Sequence, residues 1–108
     1  MFLGIGGGPE GVLSAAALDT FNCNFQGRFI FESDNDKKRA KKMGISDFSR
    51  KYELNEIISG DTIFCATGIT SGDLVEGISI RNKEFYSETL VTHKSSGLAK
   101  VIKQKKQL

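Results

Sequence analysis

Leu3-Gly4-Ile5-Gly6-Gly7-Gly8-Pro9-Glu10-Gly11-Val12-Leu13 sets the architecture of this chain. A short apolar run ends in three glycines, followed by a proline, an acidic residue and the start of an apolar helix. Glycines let a backbone approach a ligand closely, because no Cβ intervenes. A helix N-terminus offers unpaired N–H groups and partial positive charge to an anion. Pro9 suits the first helical position, where a missing donor costs nothing. Glu10 then lies in the first turn, at the mouth of the loop. The segment predicts a strand end at Leu3–Ile5, a ligand loop, and a helix from Pro9 to Phe21 whose apolar face carries Val12, Ala15, Ala16 and Leu18. The strand is a stub, which leads us to expect the tail of a longer protein.

Beyond the turn Asn22-Cys23-Asn24, Arg28–Phe31 reads as a short strand. Ser33 or Asp34 caps a basic helix over Asn35–Met43, carrying Lys37, Lys38, Arg39, Lys41 and Lys42 and stopped by Gly44. Asp47–Tyr52 reads as a connector and Leu54–Ile58 as a helical turn. Thr62–Ala66 is a continuous apolar run, expected to be a strand covered on both faces. The polar loop Thr67–Asp73 follows, with Asp73 a possible N-cap. Ile78–Ile80, Phe85–Val91 and Leu98–Ile102 read as antiparallel strands joined at Arg81-Asn82-Lys83 and Lys94-Ser95-Ser96-Gly97. Lys103–Leu108 reads as a polar tail. The expected fold is a single α/β domain over 1–108 of layered sheet and helices. Its two ligand loops, before the first helix and after Ala66, are expected to face one crevice.

The 108 residues suffice for one small domain. A hydrophobic content of 39% with 26% charged residues argues for a globular chain over a disordered one. The net charge of +2 is too small to point to nucleic acid. No apolar run has the length of a membrane span, and no secretory leader is evident. The expected location is cytoplasmic, with no nucleic-acid or membrane partner. Cys23 and Cys65, the only cysteines, read as reduced thiols, Cys65 as a buried small hydrophobe.

The candidate site residues each carry two readings. Gly6-Gly7-Gly8-Pro9-Glu10-Gly11 satisfies G-x-G-x-x-G, and Glu32 stands where a ribose-binding acid would follow the next strand, so a dinucleotide site is one reading. Yet Glu10 puts a carboxylate where a pyrophosphate would sit. A divalent cation between carboxylate and phosphate reconciles the two; complementing the helix dipole is the equally available alternative. The basic helix reads as a solvated face. His93 reads as a surface or satisfied strand residue, with no evident Ser/His/Asp arrangement.

Gly6–Leu18 resembles the G-G-x-P-E-G-V-L-A-A-A-A-L signature of the class II fructose-1,6-bisphosphatases. Further segments agree in order: Gln26-Gly27-Arg28, Arg39–Ile45, Phe64–Leu74, and Glu88-Thr89-Leu90-Val91 with Lys94-Ser95-Ser96-Gly97. The resemblance runs to about Ile102 and implies the C-terminal part of an enzyme of the lithium-sensitive, inositol-monophosphatase-like superfamily, an αβαβα sandwich. It implies metal-dependent removal of the 1-phosphate of fructose 1,6-bisphosphate in gluconeogenesis. Some photosynthetic relatives also take sedoheptulose 1,7-bisphosphate. It further implies Mn²⁺ or Mg²⁺ as cofactor, a homo-oligomer when full length, Glu10 as a metal ligand and Gly7 as a substrate-contacting residue; the catalytic residues stay unassigned. The other carboxylate ligands fall in family segments upstream of these residues, so the chain alone is expected to be inactive. Gly8 replaces the usual alanine, Ser71 replaces a common aspartate, and Met1 falls inside a family strand. A nucleotide-binding module and a non-catalytic remnant are the alternative functions.

Overall fold

The computed structural model describes residues 1–108. In chain order the elements are α1 (Gly8–Thr20), β1 (Gln26–Arg28), α2 (Asp34–Lys42), β2 (Lys51–Glu53), α3 (Leu54–Ile57), β3 (Ile63–Thr67), β4 (Ser79–Arg81), β5 (Glu84–His93) and β6 (Leu98–Gln107). β1 and β2 form a two-stranded antiparallel ribbon. The main sheet is built on β5, which pairs β6 along one edge and, end to end, β4 and β3 along the other. All these pairings are antiparallel, and α1 packs on the main sheet against β3 and β5. The fold is α/β, as the sequence leads one to expect.

Several local signals act as read. Ser33 caps α2, its Oγ accepting from the Asp36 N–H at 3.2 Å. β4 and β5 join through Asn82-Lys83, with φ of 52° and 61°. Two successive positive values make the type I′ turn whose twist matches a right-handed hairpin. The β5–β6 hairpin closes through Lys94–Gly97, with His93 opposite Leu98.

Other expectations are corrected. Leu3–Ile5 is not a strand: it has no pairing partner, and Leu3 and Ile5 are exposed. The strand expected at Arg28–Phe31 lies at Gln26–Arg28, because Phe29 and Phe31 leave the ladder to join an aromatic cluster. Phe29 meets Tyr52 edge-on at 5.8 Å, and Phe31 meets Phe48 at 5.0 Å. Part of the Asp47–Tyr52 connector becomes β2. The polar tail from Lys103 is strand as far as Gln107. Its lysines face carboxylates on β5: Lys105 lies 3.0 Å from Glu84, and Lys103 is 3.6 Å from Glu88. Cross-strand opposite charges support pairing that the tail's own polarity hides. No helix follows Asp73; the Gly72 N–H closes a turn onto the Val75 carbonyl instead.

β3 is not covered on both faces. Phe64 and Ala66 lie opposite Thr92 and Leu90 and share the face under α1. Ile63 and Cys65 alternate onto the opposite face, with Leu98 and Ile102 of β6. Ile63 there is 67% exposed and Cys65 is exposed too, so the thiol is not the buried hydrophobe expected of it. The only buried apolar residues are Ala15, Ala40 and Leu90. The accessible surface is 8612 Å², roughly 2,700 Å² more than the usual scaling gives for a folded chain of this mass. The radius of gyration is 17.9 Å, against about 13 Å for a compact domain of this length.

With so thin a core, one large side chain matters disproportionately. Leu90→Ala, under α1, is expected to lower stability by about 2–5 kcal/mol, read as a fall in the urea midpoint.

Candidate functional site: the glycine loop and the Asp61–His93 cluster

Gly7 is the N-cap of α1 with extended backbone (φ −68°, ψ 161°), and no side chain caps the helix there. Pro9 stands at the second helical position, not the first, still within the turn where a missing N–H is harmless. Glu10 is the third helical residue, and its carboxylate folds back over Gly7: a Cβ on Gly7 would collide with Glu10 Oε2. The atoms in the way are the far end of an exposed, flexible side chain, so a rotation of Glu10 would relieve the contact and the close approach depends on its present rotamer. The Gly11 N–H bonds the Gly7 carbonyl at 3.0 Å and closes the first turn. Glu10 and the loop are solvent-exposed. The arrangement puts a carboxylate beside a helix N-terminus and is compatible with either reading of Glu10: a cation bound between carboxylate and ligand, or complementation of the helix dipole.

This chain does not assemble a complete metal centre. No group of three or more His, Cys, Asp or Glu side chains is placed to hold an ion. Glu10 offers one ligand only.

The second expected ligand loop, after β3, is folded on itself. Ser71 Oγ lies 2.9 Å from Glu76 Oε2 and accepts from the Gly77 N–H at 3.0 Å, while Glu88 accepts the Glu76 N–H at 2.9 Å. A Cβ on Gly77 would fall 2.6 Å from the Ser71 nitrogen, so only glycine lets the two ends of the loop meet. No hydrogen bond or ion pair joins this loop to the first. The dinucleotide reading loses its scaffold: a Rossmann site needs a parallel β-α-β unit, and here every ladder is antiparallel. Glu32 instead offers its N–H to Asp36 at the start of α2. The α2 lysines are exposed as expected, Lys37 and Lys41 lying 5.9 and 6.0 Å from the Phe48 ring.

One cluster escaped the sequence reading. His93 Nε2 lies 2.6 Å from Asp61 Oδ2, and His93 Nδ1 lies 2.8 Å from Ser96 Oγ. Asp61 also accepts from the Ser95 N–H at 3.1 Å, the Ser95 hydroxyl at 2.8 Å and the Thr62 N–H at 3.1 Å. The hydrogen bonds from His93 and then Ser95 hold the Asp61 carboxyl down to about 2 from its ordinary 3.8. The lone histidine thus has partners after all. The signal lies in the β3–β5 register: Ile63 pairs His93, which brings Asp61, just before β3, to the end of β5 and its hairpin. Spacing alone does not reveal it.

Comparison with known proteins places the chain. Residues 1–106 match the family model described as bacterial fructose-1,6-bisphosphatase, glpX-encoded. The chain belongs to this family. It is 37% identical to the D-fructose 1,6-bisphosphatase class 2/sedoheptulose 1,7-bisphosphatase of Synechococcus sp. (strain JA-3-3Ab), over 87% of this chain and 31% of that protein. It is 35% identical to the protein of the same name from Trichodesmium erythraeum (strain IMS101), over 93% of this chain and 33% of that protein. The chain therefore spans about a third of the length of the curated relatives it matches.

The depressed Asp61 titration carries a pH consequence. Its folded value lies below its unfolded one, so the tie it makes is fully present above about pH 4 and is lost as pH falls towards 2. Hydrogen exchange at the Ser95 N–H is expected to quicken, relative to its intrinsic rate, across that interval. Asp61→Asn is expected to remove the dependence.

Proposed function

We propose that this chain is the C-terminal third of a class II fructose-1,6-bisphosphatase. The whole protein, on this reading, hydrolyses the 1-phosphate of fructose 1,6-bisphosphate in the cytoplasm, with Mn²⁺ or Mg²⁺ as cofactor. The observation that carries the reading is the family match over residues 1–106 together with the Gly7–Glu10 geometry. Glu10 supplies one metal ligand, and Gly7 with the α1 N-terminus steadies a phosphate through backbone donors. These residues alone do not make the metal's site.

Two structural features support a role as part of a larger catalytic body. One is the bare sheet face carrying Ile63, Cys65 and Ile102, with Val12 and Leu13 also uncovered on α1. The other is the unpaired extended segment before Gly6, whose apolar residues have nothing to pack on. Exposed apolar area on this scale suits the extensive interface of an obligate association. The names of the relatives favour sugar bisphosphates as substrates, with sedoheptulose 1,7-bisphosphate a second one. Homo-oligomerisation of the whole protein belongs to the same proposal.

Two measurements test it. In the full-length protein, Glu10→Ala is expected to abolish metal-stimulated phosphate release; normal turnover at ordinary metal concentration would remove Glu10 from the site. The purified 108-residue chain is expected to release no phosphate from fructose 1,6-bisphosphate with Mn²⁺ or Mg²⁺. Metal-dependent release by it would overturn the division of the site between this chain and further polypeptide.

A further inference from the structure

We propose that Ser96 is an activated nucleophile, with His93 as its general base, open to acylation or phosphonylation by small activated acyl and phosphonyl donors. The site is separate from the glycine loop and rests on other residues.

Asp61 sets the positions of the protons. Its carboxylate is acceptor-only when ionised, so the 2.6 Å contact to His93 Nε2 requires the proton to sit on Nε2. In the neutral ring that leaves a lone pair on Nδ1. Nδ1 faces Ser96 Oγ at 2.8 Å, and the hydroxyl must then be the donor. The result is a Ser–His–Asp relay in which each member fixes the role of the next, the arrangement that activates a serine in unrelated hydrolases. Here the two ring nitrogens are used in the opposite order to the familiar triad, which leaves the proton logic unchanged.

The supporting contacts act in the same direction. The Ser95 hydroxyl and N–H both go to Asp61, at 2.8 and 3.1 Å, and the same Oγ lies 3.0 Å from His93 Nε2, where it accepts a share of the Nε2 proton while its own proton is given to Asp61. The Leu98 N–H points at Ser96 Oγ at 3.3 Å and favours negative charge developing there. Asp61 is thus a positioning residue, while His93 and Ser96 touch the reacting atoms. Ser96 is exposed in the hairpin turn, and the His93 side chain is 26% exposed, so a small reagent reaches both. An open turn offers no walls for a large substrate, which confines the chemistry to compact, activated donors.

The step balances with p-nitrophenyl acetate as the donor. Ser96 Oγ attacks the ester carbonyl, its proton passes to His93 Nδ1, and the carbon–oxygen bond to the leaving group breaks. p-Nitrophenolate departs with the bonding pair. The products are acetyl-Ser96 and an imidazolium held by Asp61. A fluorophosphonate reacts likewise at phosphorus, expelling fluoride.

The test labels the purified chain with each reagent and maps the adduct by peptide mass spectrometry. Label is expected at Ser96, at a rate about 10²-fold above that of His93→Gln, the lower end of a general base's contribution. Ser95→Ala is expected to keep the label. Label spread over several serines, label at Ser95, or a rate unchanged in His93→Gln would each overturn the proposal. His93 is the only histidine, so nitrogen NMR of the unmutated chain reads its tautomer without ambiguity. In the neutral ring a proton on Nε2 and a bare Nδ1 are expected, with the preference lost in Asp61→Asn; a protonated Nδ1 in the neutral ring would sink the relay even if a variant failed to fold.

Discussion

The rest of the fold depends on how the last turn of α1 is tied to the sheet. Asp19 is buried at the end of the helix, and its two oxygens go to different places. Oδ1 meets Lys94 Nζ at 2.8 Å, and Oδ2 accepts from the Thr62 hydroxyl at 2.8 Å. The hydrogen bond from Lys94 and then that from Thr62 hold the carboxyl below its ordinary range, so it is charged at neutral pH. One residue on, the Thr20 and Thr92 hydroxyls are 2.7 Å apart in a buried contact. A buried charge is tolerable only when paired and hydrogen-bonded, and every buried side-chain polar atom here is satisfied. Hydrophobic burial is scant, so this polar seam decides which face of the helix meets the sheet. It joins the end of α1, the approach to β3 and the far end of β5, and it leaves the helix N-terminus with Gly7 and Glu10 free in solvent.

The seam also accounts for what the sequence could and could not convey. The glycine loop, the α2 cap and both hairpin turns are legible because each is carried by residues within four or five positions of one another. Asp19 and Thr62 are 43 residues apart, and Thr20 and Thr92 are separated by 72. Polar residues in such contacts look like surface residues until the register is known. Lys103–Gln107 illustrates the same point: read alone it is a solvated tail, and only the acids of β5 make it a strand. Thr62–Ala66 errs the other way. Its apolar run is that of a strand with two covered faces, and the helix layer present covers one.

That mismatch is informative about the site. A sequence patterned for two covered faces, folded with one, retains the composition of a larger body. Glu10 is comparably solitary: its carboxylate lies over the α1 N-terminus and belongs to no cluster able to hold a metal ion. On the reading proposed above, further polypeptide would complete both features, in keeping with relatives about three times as long. The recognisable motif is thus the part of the proposed site that local sequence can encode.

The two polar clusters at opposite functional levels make the contrast concrete. Glu10 has its backbone setting but no partner side chains, so its chemistry depends on groups brought to it. Asp61, His93 and Ser96 have each other. A carboxylate that receives four donors cannot easily turn away from its imidazole, and a neutral imidazole that gives its proton to that carboxylate has a single nitrogen left to act as base. Completeness of this kind is a property of the hairpin register, set by His93 facing Ile63 on one side and Leu98 on the other. The proposed relay therefore needs nothing beyond this hairpin and the approach to β3, whereas the glycine loop, however plain in sequence, offers a single carboxylate.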